Sequence, residues 1–435
     1  MKNFIGIGVI GYGVVGSGTV AMLLKQQEKI TRLVGLPVRV VALARKQQIN
    51  PFPELDTIDF YQDVDSVINH PNVNIVVELI GGTSEANRIV TQALLLGKPV
   101  VTANKALIAM NGHSLFALAR THQTVIKFEA AVAGAIPIIE ILQRSLSVNT
   151  ISSIVGVLNG TCNFILNTMR DTTITFDQAL ALAKKNGFAE ANPVLDVDGS
   201  DTLHKMLILV MLTHDVLIPF ESCSRVGITE VDIQDIQYGQ QYGYQLKLLA
   251  KCFYVNGELS IRVEPTFVDS SSMLGQLPGP MNGVEVSGNF CGTLFFAGSG
   301  AGSFPTAASV VADCVSLAKE LVSDARISSR NLLPQLSNHA NDNINAPWFI
   351  RLQVFDQPGS LTQVTNLFAS ESINIDSITQ NHQYACLNDQ GVFSVPIILI
   401  TECISHKQLN EIVIKLEKLS IVTQRVVKYP IYKIQ

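Results

Sequence analysis

An apolar, β-branched run from Phe4 to Ile10 ends in Gly11-Tyr12-Gly13-Val14-Val15-Gly16, and a helical pattern starts at Val14. A G-x-G-x-x-G turn set between a strand and a helix restricts the fold more than any other feature of the chain. Its first glycine permits a tight turn, its second lets backbone approach a pyrophosphate, and its third lets helix and sheet pack closely. The N-terminus of the helix then offers unpaired N–H groups to phosphate oxygens. Gly11, Tyr12, Gly13, Val14, Val15 and Gly16 are therefore candidate dinucleotide-binding residues.

The surrounding pattern supports this. Strands are expected at 4–11, 38–44, 75–79, 100–103 and 125–129, and helices at 14–29, 85–96 and 115–121. Strand–helix alternation implies a parallel sheet covered on both faces. The fold class is thus α/β, with a Rossmann-type doubly wound parallel sheet over residues 1–135. Residues 136–300 read as an α+β catalytic and dimerisation domain. It has helices near 136–147, 177–186 and 200–214, and strands near 151–157 and 261–268. A helix at 307–323 follows a glycine-rich loop, and residues 300–323 are expected to pack back on the first domain. The polar, Asn-rich stretch 324–346 has little to bury and reads as a linker. Residues 347–435 then show strand 348–355, helix 359–370, strands 373–380 and 392–401, helix 406–419 and strand 421–428. The order βαββαβ is the ferredoxin-like arrangement.

At the end of the second strand, NAD binders usually carry an acid for the ribose 2′-hydroxyl. Here the residues are Ala44-Arg45-Lys46. Arg45 and Lys46 favour a 2′-phosphate, hence NADP(H) over NAD(H), because a guanidinium fork matches phosphate.

The segment Gly187–Lys205 gathers Glu190, Asp196, Asp198 and Asp201 ahead of Lys205. Asp201 and Lys205 are spaced i, i+4, which puts them on one helix face. Met206–Leu212 follows as an unbroken apolar run, so this helix is expected to be buried. Carboxylates there can hold a substrate ammonium and keep a lysine protonated. A protonated lysine can donate to an aldehyde oxygen as hydride arrives. Lys105, just after the fourth strand of the alternation, is a second candidate, because ligands bind at the C-terminal ends of such strands.

Charge and cysteine usage exclude other classes. The net charge is −5 with no basic block, so no nucleic-acid partner is expected. No apolar run approaches membrane-spanning length, and the N-terminus lacks a signal-peptide pattern. The seven cysteines are dispersed singles, which suits a reducing cytoplasm rather than a disulfide framework or structural zinc.

Taken together, several motifs resemble the homoserine dehydrogenase family. They are the glycine turn, Glu78-Leu79-Ile80-Gly81-Gly82, Thr102-Ala103-Asn104-Lys105-Ala106, Leu158-Asn159-Gly160-Thr161, Gly187-Phe188-Ala189-Glu190, Asp196, Asp201 and Lys205 in order, and Gly298–Thr306. The resemblance implies reduction of L-aspartate 4-semialdehyde to L-homoserine, on the route to threonine and methionine. It implies Lys205 as proton donor and Glu190 and Asp201 as substrate-binding acids. It further implies Lys105 beside nicotinamide and substrate, Gly187 and Gly302 as backbone positions near substrate or cofactor, and Asp196 as a site acid. By the same resemblance a sodium ion is expected at Glu129, Val132, Gly134 and Ile136. The sequence departs from the family pattern at Asn192, where Asp is commoner, and at Cys162, where Thr is often found.

The C-terminal unit resembles an ACT domain, a small-molecule regulatory module. Its turn Asp356-Gln357-Pro358-Gly359 stands where such domains bind amino acids, with threonine as the implied effector. A ligand-free dimerisation module is the alternative. With no kinase-like segment ahead of it, the monofunctional form is expected, as a homodimer or homotetramer. Two other functions remain open at this level. One is a phosphorylating semialdehyde dehydrogenase with Cys162 as nucleophile, and the other is a non-catalytic Rossmann–ACT metabolite sensor.

Overall fold

The structure, a computed structural model, describes residues 3–45, 58–323, 344–380, 385–387 and 393–433. The chain divides into two compact units. One draws on residues 1–160, 200–223 and 280–338, the other on 161–199, 224–279 and 339–435. The expected linker at 324–346 lies outside the described residues apart from its last three positions, as does Lys46.

The first unit is built on a six-stranded parallel sheet. Its strands are β1 (Ile5–Ile10), β2 (Val38–Ala44), β3 (Asp59–Tyr61), β4 (Ile75–Glu78), β5 (Val100–Thr102) and β6 (Ile126–Lys127), in the order β3-β2-β1-β4-β5-β6. This is the doubly wound order of dinucleotide-binding sheets, whose strand direction of growth reverses between β1 and β4. β1 is buried along its whole length, as expected of a parallel strand covered on both faces. Helices α1 (Val14–Lys25), α2 (Gln27–Val34), α3 (Val64–Asn69), α4 (Ser84–Leu95) and α5 (Lys105–Thr121) connect the strands. The helix Ser303–Val322 packs against α1 and shares one core with this sheet, where Val310, Cys314 and Leu317 join Ile7, Leu23 and Val77.

Beside this sheet in sequence, the strand Met281–Gly288 lies antiparallel between β7 (Ile151–Val157) and the strand Gly292–Ser299. The helix Ser200–His214 is buried along most of its length and contacts α5.

Several elements differ from their sequence expectation. The 14–29 helix is interrupted at Gln26, which caps α1 and precedes amphipathic α2. The helix expected at 115–121 begins ten residues earlier, because the Asn104 side chain caps it by accepting from Leu107 N. The strand expected at 125–129 shrinks to Ile126–Lys127 and gives way to a 3₁₀ turn at Glu129–Ala131. The 136–147 helix is a short α turn, Ile138–Glu140, followed by a π turn, Ile141–Ser145. In both places side chains have captured backbone groups: Asp313 takes Glu129 N, and Glu129 takes the amides of Ile139 and Glu140. Among the elements that carried no specific expectation are the helices Val64–Asn69, Gly160–Thr172 and Ile233–Gln241 and the strands Tyr244–Val255, Met281–Gly288 and Gly292–Ser299.

The second unit holds the strands Tyr244–Val255, Glu258–Asp269, Val427–Tyr432, Trp348–Phe355, Phe393–Thr401 and Ile375–Gln380 in that order. Every neighbouring pair is antiparallel except Glu258–Asp269 with Val427–Tyr432. In the C-terminal part, two strand–helix–strand connections each skip one strand. Helices Ser360–Ser370 and His406–Glu417 share a core with that part of the sheet through Val364, Phe368, Leu409 and Leu416. The last strand falls at Val427–Tyr432 rather than 421–428. Pro430 lies inside it, and a residue with no N–H obscures a strand in sequence. A buried Arg351–Asp235 pair, joined by Tyr429 Oη donating to Asp235 at 3.2 Å, ties these strands to the helix Ile233–Gln241. Among the described residues, no helix is long and apolar enough to cross a membrane.

Candidate active site

The glycine turn has the shape its sequence requires. Gly11 has φ +102°, a conformation that side chains rarely adopt. A Cβ on Gly16 would lie 2.1 Å from the Gly11 carbonyl oxygen, so only glycine lets α1 start this close to the turn. Gly13 is the N-cap of α1 and supplies no side chain to its amides, and Val14 beside it is exposed. The first turn of α1 is therefore open to an anion. Arg45 sits over the Tyr12 ring, its guanidinium carbon 5.6 Å from the centroid, at the end of β2. Gly302 caps the helix Ser303–Val322, and Ser303 Oγ donates to Val14 O at 2.7 Å.

The ends of β4 and β5 are held together by a buried acid. Glu78 accepts from Thr102 Oγ1 at 2.6 Å and from Ile80 N at 2.8 Å. Burial pushes its carboxyl up to about 7, against the pull of those two donors. Thr102 Oγ1 in turn accepts from Asn104 N, and Asn104 Nδ2 donates to Gly82 O at 2.7 Å. These bonds fix the start of α5, and Lys105 is its first residue.

Lys105 and Lys205 meet on one carboxylate. Lys105 Nζ lies 2.7 Å from Asp201 Oδ1, and Lys205 Nζ lies 2.7 Å from Asp201 Oδ2. Asn159 Nδ2 also donates to Asp201 Oδ2, at 2.9 Å. Burial raises the Asp201 carboxyl, but the charges of Lys205 and Lys105 outweigh burial and hold it well below the ordinary carboxylate range. Asp201 is therefore a fixed anion. Lys205 Nζ spends a second donor on the Leu158 carbonyl, at 2.6 Å. An ammonium has three donors, so the contacts to Asp201 and Leu158 leave Lys205 one to offer. Lys205 is mostly covered, with 11% of its side chain exposed, whereas Lys105 is 41% exposed.

The sequence placed Lys205, Asp201 and Lys105 in the site but did not join Lys105 to Asp201. It also gave no role to Leu158, Asn159, Asn104 or Glu78. The polar run Asn159-Gly160-Thr161 directly after a strand was the available signal for Asn159. The Leu158 carbonyl left none, because a backbone oxygen is independent of residue type.

Around the expected cation loop, both Glu129 carboxylate oxygens accept backbone amides, from Ile139 and Glu140 at 2.8 Å each. The Gly134 carbonyl accepts from Ser309 Oγ at 2.7 Å, and the Ile136 carbonyl from Ile138 N at 2.8 Å. Each of these carbonyls retains a second lone pair. Val132, Gly134 and Ile136 thus present neutral oxygens, a set that suits a hard monovalent cation. Glu129 can join them through its backbone carbonyl or through the lone pairs its carboxylate retains. No cluster of three His, Cys, Asp or Glu side chains with metal-binding geometry occurs among the described residues.

Within the second unit, Gly187 follows the helix Phe176–Lys185 with φ +75° and is exposed, as is Glu190. Asp196 lies in the short helix Val194–Val197. Its carbonyl accepts from the buried thiol of Cys162 at 3.2 Å, a packed position that does not suit an attacking thiolate.

Comparison with known proteins agrees with this arrangement. Residues 11–129 match the model for the homoserine dehydrogenase NAD-binding domain, and residues 137–315 match the model for homoserine dehydrogenase. A homoserine dehydrogenase of Pseudomonas aeruginosa is 36% identical over 432 residues, covering 98% of each chain. The crystal structure of a homoserine dehydrogenase from Thiobacillus denitrificans superposes with a TM-score of 0.89 at 35% identity, covering 99% of this chain and 98% of that one. A hyperthermophilic archaeal homoserine dehydrogenase in complex with NADPH gives a TM-score of 0.63 at 25% identity, covering 75% of this chain and all of that one. A dinucleotide turn of the right shape, two lysines on one buried carboxylate, and relatives matched over nearly their full length lead to one conclusion: the chain belongs to the homoserine dehydrogenase family of NAD(P)-dependent oxidoreductases.

Proposed function

We propose that the protein reduces L-aspartate 4-semialdehyde to L-homoserine with NADPH, and that Lys205 delivers the proton. The single observation behind this is the Lys105–Asp201–Lys205 cluster, in which a buried anion holds an ammonium with one donor unspent. The glycine turn would hold the pyrophosphate of a reduced nicotinamide dinucleotide, which would supply the hydride. Lys205 Nζ gives its proton to the carbonyl oxygen as the C–O double bond becomes an alcohol, and the neutral amine takes a proton back from the hydroxyl in reverse. Asp201 uses its oxygens on Lys105, Lys205 and Asn159, so its main work is to fix both ammonium groups. Lys105, more exposed, reaches toward nicotinamide and substrate. Glu190, Asp196 and Gly187 bind the substrate, a reading carried by the family motifs.

The preference for NADP rests on Arg45, anchored beside Tyr12 where an acid would select NAD. NADPH in the archaeal relative agrees with it. Gly302 contributes backbone on the same side. Sodium would be held by the carbonyl oxygens of Val132, Gly134 and Ile136 with Glu129, where it would fix the loop's geometry. The C-terminal part is an ACT domain that takes an amino-acid effector, threonine by resemblance, near Asp356–Gly359. Its support is the strand order at residues 348–432, with each strand–helix–strand connection skipping one strand. The enzyme assembles as a homodimer or homotetramer.

Two variants test the core of this reading. Lys205→Ala should lower kcat by roughly two to four orders of magnitude, with NADPH affinity nearly unchanged. Turnover near wild type would move protonation to Lys105. Arg45→Ala should raise the KM for NADPH by roughly tenfold or more and leave that for NADH little changed. Equal effects on both would end the 2′-phosphate assignment.

A further inference from the structure

The ladder between β7 and the strand Met281–Gly288 ends with the pair Val157 and Gly283. One residue further, a side chain continues it. Asn282 Nδ2 donates to the Leu158 carbonyl at 3.1 Å, and this same oxygen accepts from Lys205 Nζ at 2.6 Å. A carbonyl oxygen has two lone pairs, so these two donors fill it. Asn282 is fully buried, and its Oδ1 has no hydrogen-bond partner among the described residues. Leaving a buried amide oxygen unpaired costs stability, and an apolar residue of the same size would avoid that cost. Core packing alone therefore gives no reason for asparagine here.

The other flank of Asn282 faces the glycine loop. A Cβ built on Gly300 would lie 2.1 Å from Asn282 Cγ, so the amide plane rests directly against the Gly300 backbone. Two residues on, Gly302 caps the helix whose Ser303 hydroxyl binds Val14 O at the dinucleotide turn. One amide thus touches both the carbonyl that orients Lys205 and the loop that leads to the cofactor turn.

We propose that Asn282 is a positioning residue, which sets the Lys205 ammonium in register with the Gly298–Gly302 loop through the Leu158 carbonyl. This rests on the reading of Lys205 as proton donor. Without the amide, the Leu158 carbonyl can rotate and the ammonium loses its aim, while the groups that bind substrate and cofactor stay in place.

The test is steady-state kinetics of the full-length enzyme with NADPH and aspartate semialdehyde, in H₂O and D₂O, for Asn282→Leu, Gly300→Ala and Lys205→Ala. Asn282→Leu should lower kcat by about 10- to 100-fold, the scale of an ångström of misplacement, with both KM values within about threefold. Its solvent deuterium effect on kcat should exceed that of wild type, because proton delivery becomes the slow step. A merely structural role would lower the melting temperature and leave that isotope effect alone. Gly300→Ala crowds the amide from the opposite side and should lower kcat by about 3- to 10-fold with the same isotope signature. Folded Asn282→Leu with kcat within about twofold of wild type overturns the proposal. If Asn282→Leu does not fold, a Gly300→Ala enzyme with unchanged kcat and isotope effect overturns it. Full activity in Lys205→Ala would sink the proton-donor reading itself. Loss there with full activity in Asn282→Leu sinks only the role of Asn282.

Discussion

Lys205 is mostly covered and Lys247 fully buried, and their surroundings treat the two in opposite ways. Lys205 keeps a carboxylate partner, spends one more donor on the Leu158 carbonyl and has a third to offer. Lys247, fully buried in the second unit, gives one donor each to Asn163 Oδ1, Asn167 Oδ1 and Leu277 O, all at 2.9 Å. None of those three acceptors carries a charge. Burial drives the Lys247 pKa down to about 7, and the nearby charge of Arg170 pushes it the same way. Burial alone therefore does not mark a catalytic lysine. An ammonium whose donors are all consumed by neutral oxygens is a clamp, here between the helix Gly160–Thr172 and the segment around Leu277. One held by a fixed anion with a donor in reserve can do chemistry.

Replacing each lysine by methionine should give crossed results, and this is the sharpest way to break the contrast. Lys205→Met should remove two to four orders of magnitude of kcat, roughly the share of a general acid. It should cost only about 1 kcal/mol of stability, since Asp201 keeps Lys105 and Asn159, and Leu158 keeps Asn282. Lys247→Met removes the donor of Asn167 Oδ1, while Asn163 Oδ1 keeps Asn167 Nδ2 and Leu277 O keeps the amides of Asn163 and Asn167, and it should cost about 1–3 kcal/mol of unfolding free energy. Its kcat should stay within about threefold of wild type, since it removes no transition-state contact. Urea unfolding and steady-state rates on the two variants measure all four quantities. A large kcat loss in Lys247→Met would erase the distinction.

The two lysines also differ in how far sequence could reach them. Asp201 and Lys205 are four apart on a helix whose apolar continuation announces burial, so their pairing was legible. Lys105 stood out as a lysine after a strand and within a family motif, with nothing to tie it to Asp201. Its meeting with Asp201 depends on where α5 starts, and that start is set by Asn104 capping Leu107 N. The glycine turn was legible because each glycine has a steric reason that no other residue satisfies. The 3₁₀ and π turns between Glu129 and Ser145 were not, because Asp313 and Glu129 compete there for backbone amides across long sequence gaps. Lys247 carried no signal at all. Its three acceptors come from a helix and a loop that share no spacing with it.

Asp201→Asn bears on the charge half of the contrast. The variant keeps the shape of the side chain and removes the anion that both lysines face. With one buried partner gone, the ammonium of Lys205 is left beside Asn159 and a carbonyl, an environment closer to that of Lys247. kcat should fall by about 100-fold, a little less than for loss of the lysine itself, since the proton donor is still present. Stability should fall as well, because breaking a buried ion pair from one side leaves an uncompensated charge. Activity within threefold of wild type would mean that the donor count, and not the fixed anion, is what separates the two lysines.

The last effect concerns pH and the clamp, and it leaves turnover untouched. An unfolded lysine keeps its proton up to its ordinary value of 10.5, whereas folded Lys247 releases it near 7. Between those values the unfolded chain binds the extra proton, so folding stability rises with pH. Below pH 7 both states are protonated and the contribution is constant. The stability gap between wild type and Lys247→Met should therefore widen from pH 7 toward pH 10, by at most about 1.4 kcal/mol per unit. Other groups titrate in both proteins and cancel in the difference, which urea unfolding at four or five pH values would supply. A gap that stays flat across this window would mean that three well-placed oxygens keep Lys247 charged in spite of its burial. The charge would then no longer distinguish it from Lys205, and only the unspent donor would.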